Sequence, residues 1–445
     1  MFGAGAAATR RLPPPWESNR CLVFEIFSVV SPSHHNPANY VHYGYITMVK
    51  SLPPARLSDI SASKHEWPVL LECASPRCDA RKLNELLRSA DWTRLLLLVQ
   101  KHGMVGHLAA HLHEFDRDLV PPGMNKTLIE CQRAQILLTL RLTAELFRLL
   151  KRFAAAEIGV LAVKGPVLSL RAYGDPAMRS YGDLDLLVRQ RDIRRATELM
   201  IAAGYQAAVP VSAIDSGKIP GQYLFSAPDS KLLVELHNDY TLRYFPRRLL
   251  LERFFERQVR VLLDSRKAPA LSVEDELVLI CVHGAKHYWE RLMWIADVAA
   301  LLYSQTNLDW KRAAESAREV GAERMLHAGL LLAANLLRAP LPGKVLPMVH
   351  SDSGAAKLAG QVLEWLPAAG SSPPGLLARA LFRMRMCGGL ISAPAYLLRL
   401  SFSPTEEDWK ESVEEKRHWF LYAVRRPFRL ARKYGRDGSG LILVL

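Results

Sequence analysis

The chain has 445 residues, 49% apolar and 23% charged, which excludes global disorder and allows a large buried core. A formal charge of +14 and a pI near 9.6 favour anionic partners: nucleotides, nucleic acid or an acidic membrane surface. Six scattered cysteines without a CxxC pair argue against a zinc site or a disulfide framework. No apolar run approaches the ~18 residues of a membrane span, and no signal-peptide core is present, so a cytoplasmic protein with reduced thiols and no transmembrane segment is expected.

Residues 1–66 are rich in Pro, Ser, His and Asn and lack periodicity; they read as a disordered leader, or as upstream sequence before a working start near Met48. Residues 67–156 form an N-terminal helical region. Leu83, Leu86, Leu87, Trp92, Leu95, Leu96, Leu98 and Val99 recur at three- and four-residue steps, and a long helix from about Met124 to Ala156 carries Leu128, Ile136, Leu137, Leu140, Leu142, Leu146 and Leu150. The pattern changes over 157–247. Ile158 to Val163 reads as a buried strand turning at Lys164-Gly165-Pro166 into a helix that Gly174-Asp175-Pro176 stops. Asp183 to Val188 is a second strand. A helix from about Asp192 to Ala203 follows, ended by Gly204, and then come paired strands Tyr223–Phe225 and Leu232–Leu236 around Pro228-Asp229-Ser230. After Arg247 the chain reads as helical: a helical domain over 248–345, clearest at Val273–Tyr288, Leu292–Leu302 and Leu326–Leu337, and a basic helical region over 346–445. Strand–helix–strand–helix–strand–strand between helical flanks predicts an α+β fold with a small mixed sheet.

The chemistry centres on Asp183 and Asp185. Side chains alternate along a strand, so the two carboxylates share a face while Leu184 and Leu186 bury on the other. Paired carboxylates repel unless a cation neutralises them, and hard oxygen ligands suit Mg²⁺ or Mn²⁺. Glu235 and His237 share a face by the same alternation; if their strand lies beside the first, Glu235 completes a three-carboxylate cluster able to hold two metals about 3.5–4 Å apart. Lys164-Gly165 precedes a helix N-terminus, where free N–H groups and the dipole attract phosphate, and Arg179 on the following loop can clamp a phosphate oxygen. Further along, His283 and His287 share a helix face, but no glutamate follows His283 as a zinc hydrolase requires, so a polar stripe over the cleft is the better reading than a metal site.

The run Val163-Lys164-Gly165-Pro166, Tyr173-Gly174-Asp175-Pro176 and Arg179-Ser180-Tyr181-Gly182-Asp183-Leu184-Asp185-Leu186-Leu187-Val188 resembles the uncharacterised bacterial nucleotidyltransferase family of the polymerase-β-like nucleotidyltransferase superfamily. Glu235-Leu236-His237 resembles its third-carboxylate strand, with Glu235 where the family more often has Asp and Asn238 where it has an aromatic. His283 to Leu292 and Trp294-Ile295-Ala296-Asp297 resemble its helical segment, and the likeness spans roughly 68–340. It implies a polymerase-β-like core and metal-dependent transfer of a nucleoside monophosphate from an NTP to an acceptor hydroxyl. Asp183, Asp185 and Glu235 would be catalytic and metal-binding, and Lys164, Gly165 and Arg179 would hold the nucleotide. His237, Lys286, His287 and Arg291 are candidate acceptor or phosphate contacts. Two other readings remain open: a non-catalytic nucleotide- or nucleic-acid-binding module, and a membrane-surface accessory protein in envelope polysaccharide or peptide biosynthesis. The C-terminal cations Lys416, Arg417, Arg425, Arg426, Arg429, Arg432, Lys433 and Arg436, interleaved with Trp419, Phe420, Tyr422 and Phe428, suit RNA or an anionic membrane surface, or equally a solvated helix.

Overall fold

A computed structural model describes residues 65–112, 115–215, 221–227, 232–239, 251–367, 375–387, 394–396 and 398. Residues 1–64 of the expected leader, the turn at 228–230 and the basic C-terminal tail lie outside the described residues, while Glu66, counted with the leader, is helical.

Seven strands make one mixed sheet: β1 (Val160–Val163), β2 (Asp183–Val188), β3 (Gln206–Ala207), β4 (Gln222–Ser226), β5 (Leu233–His237), β6 (Val259–Leu263) and β7 (Arg266–Ala270), in the order β3-β4-β5-β2-β1-β7-β6. β2 runs parallel to β5 and β1 parallel to β7; the other pairs are antiparallel. Registered partners share a face. Val160, Ala162, Leu184, Leu186, Val188, Val234, Leu236, Tyr223 and Phe225 therefore line one side and enter a single apolar cluster. The opposite side carries Asp183, Asp185, Glu235, His237 and Gln222.

Helices surround the sheet. The N-terminal region is helical as expected but breaks into α1 (Glu66–Ala74), α2 (Ala80–Leu87), α3 (Trp92–His102) and α4 (Val105–Ala110), followed by the 34-residue α5 (Pro122–Ala155). Asp79 and Asp91 cap α2 and α3 by accepting backbone N–H bonds, and Gly103 at φ 71° ends α3. Leu142, Leu146, Leu149 and Phe153 of α5 pack on the apolar side of the sheet. Ile136, Leu137 and Leu140, counted above with the apolar positions of this helix, are exposed instead: its buried stripe turns through Gln135, Thr139, Leu142 and Thr143. The polar residues on that stripe hide its period from a hydrophobicity count.

Next come α6 (Gly165–Tyr173), α7 (Ile193–Ala202), α8 (Val211–Asp215) and α9 (Leu251–Glu256). Beyond Arg247 the structure corrects the all-helical expectation, because β6 and β7 form a hairpin that docks on β1. Asp264 and Ser265, at φ 49° and 63°, supply the left-handed pair that a two-residue hairpin turn needs. Four of the five residues of β6 face outward at least in part, so no clean polar–apolar alternation marks the strand. The remaining described helices are α10 (Val273–Lys286), α11 (Leu292–Ser304), α12 (Trp310–Glu319), α13 (Glu323–Leu337), α14 (Leu346–Ser351), α15 (Ser353–Trp365) and α16 (Leu376–Cys387). The loop between α10 and α11 drives Trp289 fully into the core; a Cβ on Gly284 would stand 2.4 Å from its ring, and one on Gly329 3.1 Å, so both glycines are needed for close approach. No described helix is long and apolar enough to cross a membrane, and the five described cysteines form no disulfide with one another.

Candidate active site

The β2–β5 register decides the centre of the site. Asp185 pairs directly with Glu235 and Leu187 with His237, so three polar side chains converge from adjacent parallel strands. His237 Nε2 lies 2.9 Å from Asp185 Oδ1 and 3.3 Å from Glu235 Oε2. One potential ligand atom from each of Asp185, Glu235 and His237 lies within 4.8 Å of the others. Asp183 shares the face two residues earlier on β2. The cluster thus differs in one member from the three-carboxylate set expected from sequence: His237, read above as an acceptor contact, stands between Asp185 and Glu235, and Asp183 flanks them.

The loop from α6 to β2 sets where Asp183 begins. Ser169 Oγ donates to Asp175 O at 2.7 Å and accepts from Arg179 N at 3.1 Å, while Tyr181 OH donates to Pro176 O at 2.8 Å. On the neighbouring strand, Val163 pairs with Asp185, which brings the next residue, Lys164, to the carboxylates. Lys164 Nζ lies 2.9 Å from Asp185 Oδ2. Its backbone sits at φ 54°, ψ −137°, a region that disfavours any residue with a Cβ and costs about 1–3 kcal/mol. Gly165 continues at φ 46°, and Pro166 opens α6, whose first-turn N–H groups are the natural place for a phosphate.

Electrostatics separate the two aspartates. Burial raises both, but the Lys164 ammonium and the His237 ring overcome it at Asp185 and hold that carboxyl below the usual range. At Asp183, burial and then the charges of Asp185 and Glu235 push the carboxyl up to about 7. Burial lowers His237, yet its bonds to Asp185 and Glu235 hold the ring above the ordinary histidine value. Repulsion between buried carboxylates, as at Asp183, is what a divalent cation relieves.

The remaining sequence candidates divide. Arg179 is buried and its Nε donates to Asp297 Oδ2 at 2.7 Å, with Tyr173 OH donating to Asp297 Oδ1 at 3.0 Å. Through Nε it joins the β2 loop to α11, and through Tyr173 the same aspartate reaches α6. Lys286 reaches the site: its Nζ donates to Gln222 Oε1 at 2.6 Å, and Gln222 Nε2 donates to Glu235 Oε2 at 2.6 Å. Gln222 was missed from sequence; its place on the polar face follows from pairing with His237, which only the β4–β5 register reveals. His283 and His287 pack on each other and on Trp294, with ring centroids 4.8–5.3 Å apart, and burial holds both well below the ordinary histidine value. They form a neutral aromatic stripe. The Arg291 guanidinium lies 5.9 Å from the Trp294 ring centre.

Residues 88–338, more than half the chain, match the model of a family described as uncharacterised nucleotidyltransferase. The chain belongs to that family. A crystal structure of an antigenic nucleotidyltransferase-like protein from Paracoccidioides brasiliensis overlaps 47% of this nucleotidyltransferase-family chain and 95% of its own, at 14% identity and a TM-score of 0.30. No protein of curated function matches.

Proposed function

We propose that the protein is a metal-dependent nucleotidyltransferase that moves a nucleoside monophosphate from an NTP to an acceptor hydroxyl. The observation that carries this reading is the convergence of Asp185, Glu235 and His237 within 4.8 Å, beside an Asp183 carboxyl that burial and its acidic neighbours push up to about 7. Oxygen-rich donors of this kind fit a hard divalent cation, with Asp183, Asp185 and Glu235 as holders of Mg²⁺ or Mn²⁺ and the His237 ring orienting Asp185 and Glu235. When bound, the metal supplies activation of the acceptor oxygen and charge neutralisation on the phosphates.

The chain's own groups do the rest. Lys164 and the first turn of α6, opened by Gly165 and Pro166, receive the triphosphate. Glu235 faces the acceptor side and takes the hydroxyl proton. Gln222, anchored by Lys286, fixes the Glu235 carboxylate through Oε2. Arg179 acts at one remove: by holding Asp297 it pins the loop that leads into Asp183. Catalysis is then mostly positioning and charge neutralisation.

Purified full chain incubated with labelled NTPs, Mg²⁺ or Mn²⁺ and a cell extract tests this. Metal-dependent label transfer, abolished in Asp183→Asn and Asp185→Asn, is the expected result. Tight NTP binding that survives Asp185→Asn with no turnover in the wild type would instead mark a binding module.

A further inference from the structure

One side of α5 turns large aliphatic side chains to solvent. Leu137 and Leu140 stand one turn apart and are 62% and 61% exposed, with Ile136 beside them at 40%. Helix geometry accounts for the placement. The stripe of Leu142, Leu146, Leu149 and Phe153 packs on the sheet. With ~3.6 residues per turn, the side opposite that stripe runs through Lys126, Arg133, Leu137, Leu140, Ala144 and Lys151. All six are exposed.

The charge along this ridge is one-sided. Between Cys131 and Ala155 the helix has one acid, Glu145, and Arg148 takes it at 2.6 Å. Lys126 pairs along the helix with Glu130 at 4.0 Å. Arg133 and Lys151, which bracket the leucines, make no ion pair among the described residues.

An aliphatic patch bracketed by cations selects its partner. A second copy of the chain fits poorly: an antiparallel α5 that sets Leu137 on Leu140 also sets Lys126 on Lys151, and a parallel one sets each cation on itself. A nucleic-acid backbone meets the cations and leaves three aliphatic side chains in water. An anionic lipid surface satisfies both, because headgroup charge meets Arg133 and Lys151 while the aliphatics enter the acyl boundary. The ridge is already folded against the sheet, so docking orders no new helix.

We propose that the ridge of α5 from Lys126 to Lys151 seats the protein on an anionic lipid bilayer. Docking there is independent of nucleotidyl transfer, and it fixes how the site stands at the membrane. α5 packs on the apolar side of the sheet, while Asp183, Asp185 and Glu235 lie on the other. The carboxylate cluster therefore faces away from the bilayer, toward soluble substrates.

The full chain is sedimented with vesicles of phosphatidylcholine, alone or mixed with phosphatidylglycerol. Binding to the mixed vesicles only, weakened by salt, is expected. Leu137→Gln/Leu140→Gln and Arg133→Gln/Lys151→Gln change exposed side chains alone, and each pair is expected to weaken binding about tenfold or more. In the wild type, a photoactivatable phosphatidylglycerol is expected to label peptides spanning residues 133–144, read by mass spectrometry, which separates this ridge from the basic C-terminal stretch. Absence of vesicle binding, binding unchanged in either double variant, or label confined to other parts of the chain would overturn the proposal. So would a dimer in solution that Leu137→Gln/Leu140→Gln dissolves, or polyuridylate binding that Arg133→Gln/Lys151→Gln abolishes while vesicles are ignored. Those results would assign the ridge to a second copy or to nucleic acid. Lipid binding as expected, alongside no metal-dependent label transfer, would sink the enzymatic reading and leave the docking ridge standing.

Discussion

Lys164 and Arg179 each approach a buried aspartate, at 2.9 and 2.7 Å, yet the two pairs keep different company. Arg179 and Asp297 close on each other: Tyr173 takes the second oxygen of Asp297, and the network joins α6, the β2 loop and α11. Lys164 and Asp185 stay open. Asp185 also meets His237, which meets Glu235, and Asp183 stands beside them with its carboxyl pushed upward. The first arrangement balances its charges and serves architecture. The second sets three acids on one face of the sheet, where burial and mutual repulsion push Asp183 upward.

The sharpest way to break the contrast is to remove one charge from each network. Asp183→Asn is expected to lower metal-dependent transfer on the order of a thousandfold or more. Its thermal midpoint should hold or rise, because the substitution relieves repulsion from Asp185 and Glu235. A destabilised Asp183→Asn with normal transfer would place Asp183 among the structural acids. Asp297→Ala should behave in the opposite way. It leaves the Arg179 guanidinium buried and unpaired, so denaturant unfolding is expected to show a loss of about 3–5 kcal/mol. A loss under about 1 kcal/mol, typical of exposed pairs, would show that the Arg179 network is not closed as described.

The same contrast explains what could be read from the chain alone. Strand alternation put Asp183 and Asp185 on one face, and the spacing of Glu235 and His237 put those two together; both hold because the side-chain period of a strand is a local property. The parallel pairing of β2 with β5 is not local, and it is what brings His237 rather than Asp183 into the tightest group. The partner of Arg179 was out of reach for the same reason: Asp297 lies 118 residues later and is met only when α11 packs on α6. The β6–β7 hairpin went unseen because an exposed edge strand carries little apolar contrast. Gln222 is invisible to motif reading, since neither its residue type nor its spacing is unusual.

The closed network should also show in acid. His107 is fully buried beside Tyr173, with ring centroids 5.0 Å apart, and burial, helped by His111 and Arg179, depresses it to about 3. A histidine depressed in the folded state is neutral there while its unfolded counterpart takes up a proton below pH 6.5. Its contribution to stability is therefore complete above pH 6.5 and is lost as pH falls toward 3, with a slope of up to roughly 1.4 kcal/mol per pH unit. Unfolding free energies measured between pH 4 and 7 should fall less steeply in His107→Phe than in the wild type. Parallel curves would mean that His107 keeps a solvated, protonatable ring.

The smallest effect probes the open network from its backbone. Lys164 combines a useful ammonium with a costly φ, so charge and strain have to be separated. Lys164→Ala and Lys164→Gly both take the ammonium away from Asp185, so both are expected to lose transfer. They differ only in the Cβ, which glycine lacks and which makes φ 54°, ψ −137° unfavourable. Lys164→Gly should therefore be the more stable of the two by about 1–2 kcal/mol, the reverse of the order in an ordinary helix or strand position. Equal stabilities would mean that the alanine variant relaxes to a negative φ. The strained turn would then be imposed by the Lys164–Asp185 attraction itself, and the geometry that presents α6 to the triphosphate would exist only while that ion pair is made.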